Sequence, residues 1–325
     1  MNHLVTVIVF LATALAVTGT STLMETTPGG DVSTTVTGEY QPVDIGPVYD
    51  PPEILWHYSL QTGAQQKVCP LGNGGEYVFT GGWYGGAKMF AGAGGTGAVE
   101  WTYEPQGNWS SLGTVTVAAK TTDTYYAVQN WDDGKAAHTA VHLFSGSSST
   151  PVWTWDGTGI FDSGSVDGPG KAACSDDGSV LAVGGAIGGH LAVQFFSPDS
   201  AAPMATYEDP SLAYYPRQLR ITSDGSACIF RSSATLYRVD TSTGELVASF
   251  ALDASNDCFG VSPDGSVVAY GFTAARIAVW DGSSYNLEAG MAVSGYYGGA
   301  ADVAGDNSTV YFGFYKNNYN TKRII

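Results

Sequence analysis

The sequence predicts an all-β fold built from one four-stranded sheet repeated along the chain. Three observations predict it. A strand–turn–strand pattern recurs six times. The turns between the paired strands are short and polar, three of them carrying Asp-Gly-Ser. The composition is rich in Gly (43 of 325 residues) and 44% hydrophobic but only 13% charged, and no stretch sustains helical periodicity.

The six copies span Lys67–Gly82, Thr114–Gln129, Lys171–Gly185, Gln218–Ser232, Asp257–Phe272 and Ala300–Phe314. Asp-Gly suits a hairpin because Gly takes a positive φ without steric cost and Asp bonds the backbone of the turn. A third strand follows each pair, as in 190–196 (HLAVQFF), 235–240 (TLYRVD) and 276–281 (RIAVWD). A fourth comes next, with large side chains at alternate positions: Trp101 and Tyr103, Trp153 and Trp155, then Tyr207 and Phe250. Period-2 spacing puts two rings on one face of a strand, and such a face can pack against the next sheet. The turn glycines Gly178, Gly225 and Gly265 recur near the roughly 40–45-residue period of a propeller blade. The fold expected is a β-propeller of six four-stranded blades. Residues 53–60 (EILWHYSL) read as a fourth strand with no three before it, and the chain end supplies three strands with no fourth. Pairing the N-terminal strand with the C-terminal blade would close the ring and remove an open edge. A shortened seven-bladed protein is the alternative.

At this point the chain resembles two propeller repeat families. The stretch 262–281 (SPDGSVVAY…IAVWD) resembles a WD40 blade. The stretches 236–250 (LYRVDTSTGELVASF), 54–58 (ILWHY) and 99–103 (VEWTY) resemble the quinoprotein-type repeat. The resemblance covers about residues 53–325 and implies the fold. It does not extend to the Gly-His dipeptide that opens many WD40 repeats, nor to the adjacent cysteines of many quinoprotein dehydrogenases. It therefore implies no quinone, and no cofactor is expected.

Upstream of the repeats, residues 4–16 form an unbroken apolar run ending in Ala14-Leu15-Ala16, a small-x-small cleavage pattern. Residues 1–16 read as a secretory signal, with a retained anchor as the alternative because no Lys or Arg precedes the run. Residues 17–50, rich in Thr, Ser, Gly and Pro, read as a linker. The domain is then 51–325, exported to the medium or the cell surface. No later segment reads as a transmembrane helix.

The net charge is −17 at pH 7 with 13 Lys and Arg, which argues against nucleic acid and anionic membranes as partners. Cys69, Cys174, Cys228 and Cys258 form no CxxC pair and fall in four different repeats. They read as buried free thiols, although export permits disulfides. His138 and His142 lie four apart in a strand, too far along it to share a metal ion. There is no nucleophile elbow, no HExxH and no complete calcium loop, so no metal or catalytic residue is assigned. Asn108 and Asn307 stand in sequons, which read as chance occurrences in a Ser/Thr-rich chain.

The expected binding residues come from position. In propeller geometry the loops between second and third strands share one face with the crossovers between blades. Trp83, Tyr84, Trp131 and Tyr319 fall in such loops, and Tyr214, Tyr215, Tyr296 and Tyr297 in crossovers. Trp and Tyr flanked by Gly make adaptable contact surfaces for proteins or sugars. The function expected is a monomeric, non-catalytic scaffold that recognises a protein or carbohydrate. The alternatives are an extracellular lyase, hydrolase or cofactor-dependent oxidoreductase with its site at the channel mouth, or a structural module without a small ligand.

Overall fold

A computed structural model describes residues 6–8, 23–27, 30–34, 65–71, 76–82, 87–92, 98–103, 114–119, 121, 123–132, 137–162, 172–213, 215–252, 258–271, 274–292 and 297–315. Three strands come first: β1 (Thr6–Ile8), β2 (Leu23–Thr27) and β3 (Gly30–Thr34). The repeats follow. The first holds β4 (Gln65–Leu71), β5 (Tyr77–Gly82), β6 (Ala87–Ala91) and β7 (Val99–Tyr103). The second holds β8 (Thr114–Ala119), β9 (Tyr125–Asp132), β10 (Ala137–Phe144) and β11 (Trp153–Asp156). The third holds β12 (Ala172–Cys174), β13 (Leu181–Ile187), β14 (His190–Phe196) and β15 (Ala205–Asp209). The fourth holds β16 (Arg217–Ile221), β17 (Ala227–Ser232), β18 (Thr235–Asp240) and β19 (Leu246–Ala251). The fifth holds β20 (Cys258–Val261), β21 (Val267–Gly271), β22 (Ala274–Trp280) and β23 (Tyr285–Ala292). The last described pair is β24 (Tyr297–Val303) and β25 (Thr309–Tyr315).

Each repeat folds into its own antiparallel sheet in chain order, so among the described residues there are six sheets. The strands at 190–196 and 235–240 stand where the sequence put them, and the third strand of the fifth repeat begins two residues earlier than expected, at Ala274. The strand expected at 53–60 and the last expected strand at 321–325 lie outside the described residues. Within the segment read as export signal and linker, β1 pairs in parallel with β25. There β2 and β3 form a hairpin whose Met24 and Glu25 lie opposite Gly290 and Ala289 of β23. The fifth sheet thereby has six strands.

The chain divides into two compact units, Ile54–Val247 and Met1–Glu53 with Ala248–Ile325. In the first, the leading strands are neighbours in turn: β4 lies beside β8, β8 beside β12, β12 beside β16. The inner strands are buried on both faces: β13 at six of its seven positions and β17 (ACIFRS) at all six. That explains near-continuous apolar runs where a one-sided sheet would show alternation. The seams are aromatic. Trp101 of β7 stacks on Phe144 (5.4 Å between ring centroids) and Tyr125 (6.2 Å) of the second sheet. Trp153 and Trp155 of β11 lie 6.2 and 5.2 Å from Phe196 of the third, and Trp153 Nε1 donates to the Pro198 carbonyl at 2.8 Å. Tyr207 of β15 lies 5.9 Å from Phe230 of the fourth. The alternate-position rings thus pack on the following sheet, each ring pair adding about 0.5–1.5 kcal/mol beyond its buried area. In the second unit β24 lies beside β20; Cys258, Ala269 and Ile277 are buried with Val303, Val310 and Phe312.

The turns between first and second strands are chemical copies. Ser175 Oγ donates to Asp177 Oδ1 at 2.7 Å and accepts from Val180 N at 3.0 Å. Thr222 and Asp224 repeat this, as do Ser262 and Asp264. Gly178, Gly225 and Gly265 follow with φ of 73°, 75° and 70°. In the last repeat Asn307 takes that place at φ 60°, in keeping with the tolerance of Asn for left-handed backbone. Its Nδ2 donates to Asp264 Oδ2 at 2.8 Å, so the side chain of this sequon residue links two neighbouring turns. Each turn-glycine carbonyl accepts a hydroxyl: Gly178 from Tyr126, Gly225 from Thr241, Gly265 from Tyr285. The Ser175 hydroxyl and the Ser179 N–H hold the Asp177 carboxyl below its usual range. At Asp264 partial burial pushes upward, but the Ser266 N–H and three side chains outweigh it and hold the group at about 2.

All four cysteines are buried and none is in a disulfide. The Cys228 thiol is fully buried, and that burial pushes its ionisation far above the usual range. Native protein is expected not to react with an aromatic disulfide reagent over an hour at pH 8, and to release four equivalents in guanidinium; native reaction at more than one thiol would contradict this packing. Gly244 (φ 74°) presses on the backbone of Thr206 in the adjacent sheet, so a Cβ there would overlap the Thr206 carbonyl. Gly159 has the same φ with open space around it. Gly159→Ala is expected to cost about 1 kcal/mol and Gly244→Ala roughly 3 kcal/mol, read from urea midpoints at unchanged slope. Equal losses would show that the contact is unimportant.

Candidate functional site

Consecutive antiparallel pairing sends the turns between first and second strands to one end of a sheet, and the second–third loops and the crossovers to the other. Among the described residues of the first unit, crossover segments are 157–162, leaving β11, and 210–213 with 215–216, leaving β15. The second–third loops among the described residues are Gly188–Gly189, both at positive φ, and Ser233–Ala234, with Ser233 at φ 52°.

The crossover after β11 straps down onto β13. Asp162 N donates to the Ala186 carbonyl at 2.9 Å and Ala186 N to the Asp162 carbonyl at 2.7 Å. A Cβ on Gly185 would come within 2.5 Å of the Asp162 oxygen, so the missing side chain lets the two backbones approach. Phe161 is buried beneath the strap, edge-on to Trp155, while Ile160 beside it is exposed. The crossover after β15 is tied in by Leu191 N, which donates to the Leu212 carbonyl at 2.9 Å. It ends at Tyr215, whose hydroxyl donates to Asp162 Oδ2 at 2.8 Å. Two successive crossovers are thus joined by a phenol–carboxylate bond. Burial, then the hydrogen bond to Asp162 and its charge, pushes the Tyr215 hydroxyl up to about 12. It stays protonated at neutral pH and serves as a donor.

Next to it the backbone is strained. Gln218 sits at φ 54° where the pairing of β16 with β17 shifts register between Arg217 and Arg220. Its Oε1 accepts from Arg231 Nε at 2.7 Å. A non-glycine residue at positive φ within a bulge re-aims its side chain and persists only where its surroundings hold it; here the buried Arg231 does so.

Of the residues expected to bind, Trp83, Tyr84, Tyr214, Tyr296 and Tyr319 lie outside the described residues. Trp131 is the penultimate residue of β9, opposite His138, rather than in a loop. Tyr297 opens β24 opposite Tyr315. Their side chains lie outside the description, which leaves Tyr215 as the one whose contacts are described. Sequence reasoning missed Asp162, Gln218, Ser233 and Arg231. Only Arg231 left a signal, as a cation inside an apolar strand of an acidic chain. Among the described residues no three His, Cys, Asp or Glu side chains could hold a metal ion together.

Tyr215→Phe is expected to cost about 1 kcal/mol in urea unfolding, the net worth of one hydrogen bond to a charged group in a half-exposed site. No measurable loss would mean that the strap holds through its backbone bonds alone.

No protein-family model matches the chain, and no curated protein matches it. Solved structures do, 1028 chains of them, so the fold is widely shared and indicates no particular activity. One match, a chain in the crystal structure of the mitotic checkpoint complex, is 11% identical with a TM-score of 0.56, covering 80% of this chain and 79% of that one. With that likeness, the six sheets of mostly antiparallel strands and the repeating turns, the fold is a β-propeller.

Proposed function

We propose that the protein is a non-catalytic scaffold that holds a protein partner on the face formed by its crossovers and second–third loops. The observation that carries this reading is the Asp162–Tyr215 bond between successive crossovers, beside Gln218 in its strained conformation. Loops held in this way present a surface that loses little entropy on binding. The matched chain comes from a protein complex, which supports a protein partner here. In this reading Trp83, Tyr84, Trp131 and Tyr214 serve as amphipathic anchors on the loop end of the first unit, and Tyr296, Tyr297 and Tyr319 on the loop end of the second. A glycan is the second ligand class such rings accommodate. Cleavage after Ala16 would place this face outside the cell, and the blades would be WD40-like without a quinone.

The test is photo-crosslinking in the native medium or at the cell surface, with a photoreactive residue at position 83 or at Asp176, a turn on the opposite end of the third sheet. A discrete adduct is expected from position 83 only, reduced at least about tenfold by Trp131→Ala with Tyr215→Ala, each anchor being worth on the order of 1–2 kcal/mol. Adducts from Asp176 alone, or adducts unaffected by the double substitution, would sink the reading. A glycan array probed with the same variants separates a carbohydrate ligand from a protein.

A further inference from the structure

The middle of the third strand carries a polar side chain in successive sheets. By ladder register the equivalent residues are Lys88, His142, Gln194, Tyr237 and Arg276. In the first three sheets a threonine of the fourth strand lies opposite: Thr102, Thr154 and Thr206. Of the side-chain types in this row only a histidine, when free in water, changes charge near neutral pH, and His142 reaches the preceding sheet by a hydrogen bond with Tyr103.

We propose that His142 is an acid-sensitive latch on the seam between the β4–β7 and β8–β11 sheets, shut while its ring is neutral and loosened when the ring takes up a proton. His142 is 4% exposed. Nε2 lies 3.2 Å from Gln129 Oε1 on β9, Nδ1 lies 2.9 Å from Thr154 Oγ1 on β11, and the Tyr103 hydroxyl of β7 lies 3.4 Å from Nδ1. Gln129 Oε1 can only accept, so the proton sits on Nε2, and the single Nδ1 lone pair accepts from Thr154 at 2.9 Å with the Tyr103 hydroxyl sharing it at 3.4 Å. One neutral imidazole therefore joins three strands of its own sheet to the preceding sheet. Its ring also lies 5.0 Å from that of Tyr103, which in turn lies 5.2 Å from Phe144.

A second proton has nowhere good to go. It would turn Nδ1 into a donor, reverse both hydroxyl bonds and leave a cation in a seam lined by Trp101, Tyr125 and Phe144. Of the charged residues on the strands around it, Glu100 of β7 is exposed and Asp156 of β11 accepts from the Thr158 N–H. The side chains of Asp132 and His138 lie outside the described residues. Tyr103, the other titratable group at the ring, is pushed up by burial and stays protonated. The proton's path is short, because Thr154 on the outer strand is exposed. Burial pushes the His142 imidazole down to about 4, against about 6.5 in an unfolded chain. The contribution of the neutral ring is therefore complete above pH 6.5 and is lost as the pH falls through about 4. The turn aspartates, held low, lose theirs only below that window.

Hydrogen exchange with mass readout, corrected for the intrinsic effect of pH, tests this on the full chain at pH 7, 6 and 5. Opening of the peptides that cover 99–103 and 125–144 is expected to rise at least about tenfold between pH 7 and pH 5, while 181–196 stays unchanged. His142→Gln borrows the residue of the third sheet at the same position; it bonds Thr154 without titrating, and is expected to flatten the rise. An equal rise in the variant, or an equal rise in 181–196, would overturn the latch. Should the variant fail to fold, the ring resonances of His142 in the native protein decide: a neutral ring at pH 5.5 is expected, and titration near 6.5 would overturn the proposal.

Discussion

The structure depends on one constraint: a sheet with two apolar faces cannot leave either of them in water. A strand such as β14, buried at every position after His190, needs a neighbour on each side. The neighbour is the next copy of the same sheet. The fourth strand supplies the contact, with Trp101, Trp153, Trp155 and Tyr207 reaching forward onto Phe144, Phe196 and Phe230. These large rings bury much area at little entropic cost, so a few per seam suffice.

Repeated packing requires repeated geometry, and the Ser/Thr-x-Asp turns supply it. A hydroxyl and a carboxylate satisfy the backbone donors of the turn, and a left-handed residue returns the chain into the second strand. Neighbouring turns also touch, as where Ser223 Oγ donates to Asp176 Oδ2 at 2.5 Å. Where Gly is replaced by Asn307, the new side chain takes up the contact to the neighbouring turn. The polar row of the third strand works differently. In five sheets it places a polar side chain at the same register of the third strand, and its chemistry changes from sheet to sheet while its place does not.

The two ends of each sheet diverge for the same reason. The turn end is held to a common pattern by its hydrogen bonds. The loop end carries connections of unequal length, fixed by singular contacts such as the Asp162–Ala186 bridge and the Asp162–Tyr215 bond. Variation is tolerated there.

The repeats, their turns, the forward-facing rings and the buried thiols could be read from the sequence, because each follows from local alternation, local turn chemistry or composition. Tyr215 could be read as a crossover residue, but not as a partner of Asp162, 53 residues away along the chain. Nor did the sequence distinguish His142, buried and bonded to three strands, from His138 four residues before it. Those outcomes were decided by the tertiary structure. Which side chains meet across a seam depends on how two sheets lie against each other, and no period within one strand encodes that distance.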